Sequence, residues 1–257
     1  MRPVLVGAAT ALVLTAGAAC APAGSAPSSN PATGGPTITT AAAADPGNRT
    51  GDLAAVARLP RHLVGVHHAR QVVSVIASGY GTIHATVRGF RKTGDGWHRS
   101  FGPWPALIGW NGFAPRGDKR EGDGRTPTGS FTVPFAFGVN GDPGTRVRYR
   151  RALSTSRWDD DPASANYNRW VDTRYADPGR DPEHMRVLPV YRFGLVIGYN
   201  LARTPGRGSA IFFHVTDGTS TAGCVSVGRH RVVRALRWLR PRLHPRFIMG
   251  TKAAVTR

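Results

Sequence analysis

Apolar and polar positions alternate along the first third of the folded region. Gln71–Ala77 (QVVSVIA) and Thr82–Phe90 (TIHATVRGF) are short, rich in β-branched residues and bounded by Gly or polar residues. Within the second, Ile83, Ala85 and Val87 alternate with polar neighbours, which predicts a strand pair with its turn near Ser78–Gly81. Leu195–Tyr199 and Ala210–Val215 are further apolar runs of strand length, and Asn111-Gly112 and Asn140-Gly141 are turn signals. Pro, Gly and Asp recur so often between residues 102 and 182 that long helices are not expected there. Helical periodicity stands out in one stretch, Arg229–Arg240. Val232, Val233, Leu236 and Leu239 form its apolar face, while Arg231, Arg234, Arg237 and Arg240 recur every third position on the other. Ser226 is the expected cap, Pro241 the expected stop, and the arginine stripe reads as a solvated face. The domain is therefore expected to be mainly β, with one notable helix towards its C-terminal side.

The ends and the charge refine this picture. Met1-Arg2 is a short positive start, Val4–Leu14 is apolar, and Ala16–Cys20 is a run of small residues, which is the layout of an export signal over residues 1–20. Cys20 after Gly17-Ala18-Ala19 resembles a lipoprotein cleavage box, so a lipid anchor at Cys20 and simple secretion are both open. Residues 21–60 are dominated by Ala, Pro, Ser, Thr and Gly at their start and read as a disordered tether. That leaves 61–252 as the folded domain, expected to act outside the cytoplasm, in the cell envelope or beyond. The net charge is +19, a field that attracts anionic polymers. A nucleic-acid partner is not expected, because aromatic-basic interleaving, helix-turn-helix and zinc patterns are all missing.

Cysteine arithmetic brings in the chemistry. The chain has two cysteines, Cys20 and Cys224, too few for a disulfide framework or a Cys-built zinc site. Processing or acylation of Cys20 leaves Cys224 as a solitary thiol. Ala210–Val227 reads AIFFHVTDGTSTAGCVSV: a strand ends near His214, a turn follows at Asp217-Gly218, and Cys224 comes after Thr221-Ala222-Gly223. A nucleophilic thiol needs a base beside it, and so short an excursion can return beside its own strand. His214 is thus the expected base, with Cys224 at a mouth open to solvent. Gly223 would let a substrate carbonyl approach, with the N–H groups of Gly223 and Cys224 as an oxyanion pocket. Asp217 is a weaker choice for orienting His214, Ser220 and Thr221 are candidate hydroxyl contacts, and Asp159-Asp160-Asp161 reads as an acidic turn. Arg116, Lys119 and Arg120 lie in a Gly-rich loop where they could meet carboxylates. No metal or cofactor is required.

The stretch HVTDGTSTAGCVSV, together with EGDGRTPTGSF at Glu121–Phe131, resembles the L,D-transpeptidase catalytic domain (YkuD-like) of bacterial cell-wall enzymes. Thr126, Pro127, Gly129 and Phe131 match its upstream strand, and His214, Thr221, Gly223 and Cys224 match its nucleophile motif. The resemblance implies a β-sandwich fold and a Cys224–His214 mechanism: a thioester forms with a peptidoglycan stem peptide and is transferred to an amine. Two positions depart from the family pattern. Ala222 stands where the family commonly has His, and Ser226 where it commonly has Arg or Asn. Contacts of Ser226 and Arg116 with substrate, and transfer over hydrolysis by water, are therefore left open. The alternatives are an L,D-carboxypeptidase on the same fold and a non-catalytic cationic wall-binding protein.

Overall fold

A computed structural model describes residues 59–257, so the export signal, Cys20 and nearly all of the tether lie outside the described residues. Among those described, no helix is long and apolar enough to cross a membrane.

The predicted hairpin forms. β1 (Gln71–Ala77) pairs antiparallel with β2 (His84–Thr93), and β2 with β3 (Gly96–Leu107). Around these grows a ten-stranded mixed sheet in the order β6-β15-β1-β2-β3-β14-β13-β12-β7-β8. Its other members are β6 (Gly129–Phe131), β7 (Ala136–Gly138), β8 (Tyr149–Arg151), β12 (Gly194–Val196), β13 (Phe212–Val215), β14 (Val225–Val227) and β15 (Arg246–Thr251). β4 (Phe113–Ala114) and β5 (Thr126–Pro127) form a separate short pair. β9 (Ser156–Asp159), β10 (Arg169–Asp172) and β11 (Glu183–His184) make a small three-stranded sheet. The chain is mainly β, in a large curled sheet of sandwich-like character.

The centre of the large sheet is covered on both faces, which explains why its strands read as continuous apolar runs. Phe213, Val215, Val225 and Val227 point to one face and pack with Val232, Ala235, Leu236 and Leu239 of the Arg229–Trp238 helix. Phe212 and Cys224 point to the other, into a cluster with Phe137, Trp158, Met185, Val190 and Tyr191. The small sheet and the segment after it supply Trp158, Met185, Val190 and Tyr191, and so form the cover over this second face.

The helix matches its periodicity but not its expected ends. Ser226 lies inside β14, and the N-cap is Gly228, with no side-chain cap. Extended backbone at Leu239 ends the helix, and Pro241 instead starts a short 3-10 turn. The arginine stripe is only partly solvated. Arg231, Arg234 and Arg237 donate to the carbonyls of Pro105, Ser100 and Pro143, fastening the helix to neighbouring loops.

Candidate active site

Strand geometry sets His214 and Cys224 on one face of the sheet. β13 and β14 run parallel, with His214 opposite Ser226 and Phe213 opposite Val225. Side chains alternate along a strand, so Phe212 and His214 share a face, and Cys224 and Ser226 project to the same one. Cys224 therefore lies diagonal to His214, on the neighbouring strand. The short return expected between them is the crossover through residues 216–224.

Cys224 is fully buried, with none of its surface exposed. That overturns the expected open mouth: the thiol sits under the apolar cover of Trp158 and Met185. Two of its polar contacts are with backbone. Sγ donates to the carbonyl of Ala210 at 3.3 Å, and the N–H of Phe212 donates to Sγ at 3.3 Å. Ala210 holds its carbonyl there from a left-handed conformation, φ 52°, which is strained for a residue with a Cβ. Asn168, also left-handed at φ 56°, secures this bend. Its side-chain oxygen accepts from the N–H of Ala210 and from Trp158 Nε1, and its amide donates to the carbonyls of Tyr199 and Asn200.

His214 is 3% exposed. Nδ1 lies 2.9 Å from the carbonyl of Val215, which can only accept, so Nδ1 carries the proton. Nε2 is left deprotonated, buried and without a hydrogen-bond partner. Burial pushes the imidazole pKa down to about 4, against a smaller opposing pull from the Val215 carbonyl and Asp217. At neutral pH His214 is thus uncharged, with the Nε2 lone pair facing no donor. The Tyr191 ring packs on it in a T-shaped arrangement at 5.5 Å between centroids, and the Tyr191 hydroxyl donates to the carboxylate of Glu183.

The two motifs are bolted together at the Cys224 carbonyl. Thr221 Oγ1 donates to it at 2.8 Å and Thr126 Oγ1 at 3.2 Å, and Thr126 Oγ1 also accepts from the N–H of Gly109. Gly223 has φ +150°, and a Cβ there would lie 2.9 Å from the Arg125 carbonyl. The glycine is needed so that the β5 segment can press against it. This corrects the expectation that Gly223 makes room for substrate. Its N–H is also committed, donating to Thr221 Oγ1.

The remaining expected residues are spread out. Ser220 is half-buried in the crossover. Ser226 is 1% exposed and lines a cavity of about 610 Å³ together with Leu107, Thr216, Gly228, Arg229 and Arg231. Arg116 lines a different cavity, of about 730 Å³, with Leu63, Trp97, Ser130 and Arg257, and is not brought to Cys224. Lys119 is bound to Asp123 at 2.6 Å and is 4% exposed, so it is not available to a ligand. Arg120 donates to the carbonyls of Gly117 and Lys119. Asp217 accepts from Thr219 and makes a turn, not a contact that orients His214. Asp159 and Asp161 likewise accept from Ser164 and Ala163 within their own turn, and Asp161 also from the N–H of Arg180. Among the described residues no group of three or more His, Cys, Asp or Glu could hold a metal ion. Ala210, Phe212 and Asn168 were not legible as site residues: two act through backbone atoms, and Asn168 lies 56 positions from Cys224.

The model of the L,D-transpeptidase catalytic domain (YkuD) family matches residues 95–253, and the chain belongs to that family. A solved structure matched by fold is the helical cell shape determining protein Pgp2 from Campylobacter jejuni, at 15% identity and a TM-score of 0.37. The match covers 73% of this chain and 50% of that one, so the chain spans about half the length of its structural relative. No curated protein matches by sequence.

Proposed function

We propose that this chain is an exported peptidoglycan L,D-transpeptidase with Cys224 as nucleophile and His214 as base. The observation that carries the reading is the pairing of Cys224 with a neutral His214 on one sheet face, Nδ1 engaged by Val215 and Nε2 without a partner. Nε2 takes the thiol proton as Sγ adds to the carbonyl of the L-centre residue of a stem tetrapeptide. The Phe212 N–H directed at Sγ would hold negative charge there. The C–N bond to the terminal D-Ala breaks, and His214 returns the proton to the departing amine. An acceptor amine then attacks the thioester, His214 receives its proton, and the thiol is restored. Dividing acyl transfer in this way replaces one difficult step with two easier ones.

Burial of Cys224 adds a requirement: the Trp158–Met185 cover moves aside before a peptide reaches Sγ. The cavity lined by Ser226, a residue paired with His214 across β13 and β14, is the approach route in this proposal. The +19 charge suits retention on anionic wall polymer, and Cys20 is the position for a lipid anchor. Incubating the chain with purified tetrapeptide, with and without an amine acceptor, tests the reading by mass spectrometry. A cross-linked mass that requires both amine and Cys224 supports it. A tripeptide alone, in either mixture, favours the carboxypeptidase. Unchanged substrate with folded protein favours a wall-binding role.

A further inference from the structure

Glu183 is a buried acid that the chemistry at Cys224 leaves unused. It is 4% exposed, and a carboxyl group so far from water costs free energy unless it is hydrogen-bonded. It lies on β11, opposite Trp158 in the small sheet that helps to cover the thiol. Its carboxylate accepts the Tyr191 hydroxyl.

Tyr191 joins this carboxylate to His214, touching the first with its hydroxyl and the second with its ring. The ring is wedged among three others. Phe137, Phe212 and His214 lie at 5.5, 5.7 and 5.5 Å between centroids, each at a steep angle of 69°, 88° and 83°. Phe212 and His214 are alternate residues of β13, so the phenol packs along the strand face that carries the base. Main-chain bonds fix its root: the Tyr191 N–H donates to the Val187 carbonyl at 2.8 Å, and the Tyr191 carbonyl accepts from the Val139 N–H at 2.9 Å. Glu183 holds the tip.

A phenylalanine would make the same ring contacts. Burying a hydroxyl with a carboxylate costs desolvation that ring packing does not need, and what the pair gains is a fixed geometry. That geometry matters for His214, whose imidazole is anchored at one nitrogen, Nδ1 on the Val215 carbonyl, while Nε2 has no hydrogen-bond partner. Packing must hold the plane of the imidazole, and Tyr191 is a ring it packs on.

We propose that Glu183 is a positioning residue for the base: by fixing the Tyr191 hydroxyl it clamps the phenol against His214, and so keeps Nδ1 on Val215 and Nε2 free for the thiol proton. The proposal rests on reading His214 as the base for Cys224. It also ties the base to the cover, from which both Glu183 and Tyr191 come.

The test compares wild type with two variants of the full chain. Glu183→Leu/Tyr191→Phe removes both polar partners, so that neither is orphaned and the ring contacts stay. Glu183→Gln keeps an acceptor for the hydroxyl. Nitrogen-15 NMR at neutral pH reads the His214 tautomer, its signal assigned by loss in His214→Asn. Wild type and Glu183→Gln should show one tautomer, protonated at Nδ1, and the double variant an average of the two. In the tetrapeptide assay the double variant should lose about ten-fold in kcat with KM unchanged, the size of one good hydrogen bond, and Glu183→Gln should come within about three-fold of wild type. A packing role alone would lower the melting temperature of the double variant and leave the tautomer as it was. A double variant that keeps the single Nδ1 tautomer and the wild-type kcat, or a Glu183→Gln that loses as much as the double variant, would overturn the proposal. One measurement needs no variant: the wild-type Tyr191 hydroxyl proton should exchange slowly enough to be seen by NMR, and free exchange with solvent would also overturn the clamp. Failure of the acyl-transfer reading has a different mark: wild-type Cys224 stays unacylated while the His214 tautomer still depends on Glu183.

Discussion

Replacing His214 with Asn tests whether the imidazole is a buried neutral base. Asn keeps a donor for the Val215 carbonyl and removes the titration. The wild-type imidazole is pushed from 6.5 to about 4, chiefly by burial. As pH falls through 6.5 the unfolded chain takes up a proton that the folded one refuses, so the stability from this group is complete above 6.5 and is lost on descent to about 4. At 1.36 kcal/mol per pH unit, the loss is about 3 kcal/mol. Asp160 acts in the opposite sense. Burial, and then the charge of Glu121, push its carboxyl up to about 7. Its contribution is therefore present below 3.8 and lost as pH rises through 7, so the raw wild-type curve conceals the histidine. The difference between wild type and His214→Asn isolates it. Urea unfolding of both proteins from pH 7.5 to 4 should show their stability gap shrinking, or reversing, by about 3 kcal/mol in the direction that penalises wild type. A gap constant to within about 1 kcal/mol would refute the buried neutral imidazole, and the base assignment with it.

Two further outcomes follow from the hydrogen bonds around the sulfur. Thr126→Val strips a donor from the Cys224 carbonyl and orphans the Gly109 N–H, and should cost about 2–3 kcal/mol in denaturant unfolding; a loss below about 0.5 kcal/mol would mean that the two motifs are not bolted there. Asn168→Ala releases Trp158 and the Ala210 bend, and should speed alkylation of Cys224 by iodoacetamide in the folded protein. Equal rates would show that Asn168 does not hold the cover closed.

The sequence carried local features well and distant ones poorly. The β1–β2 hairpin was legible because its alternation has a period of two, and the helix because Val232, Leu236 and Leu239 repeat at helical spacing. Ser226 does not cap the helix, because a strand reaching Val227 claims that residue before the helix begins. The link between Cys224 and His214 was visible as a short loop between two apolar runs. Its burial was not, because the covering side chains, Trp158 and Met185, come from a separate small sheet and the residue just after it, well upstream, and nothing in the spacing announces where that sheet folds. Thr126 was matched only as part of a motif. Its hydroxyl bond to Cys224, 98 positions away, gives that match a physical reason.

The central claim is that the Cys224 sulfur carries the acyl group. Intact-mass and peptide mapping of the chain, quenched in acid after brief exposure to stem tetrapeptide, test it most directly. The account predicts an adduct with the mass of the peptide less its terminal D-Ala, located on Cys224 and lost in Cys224→Ala. Release of D-Ala at the wild-type rate by Cys224→Ala, or an adduct on another residue, would contradict it.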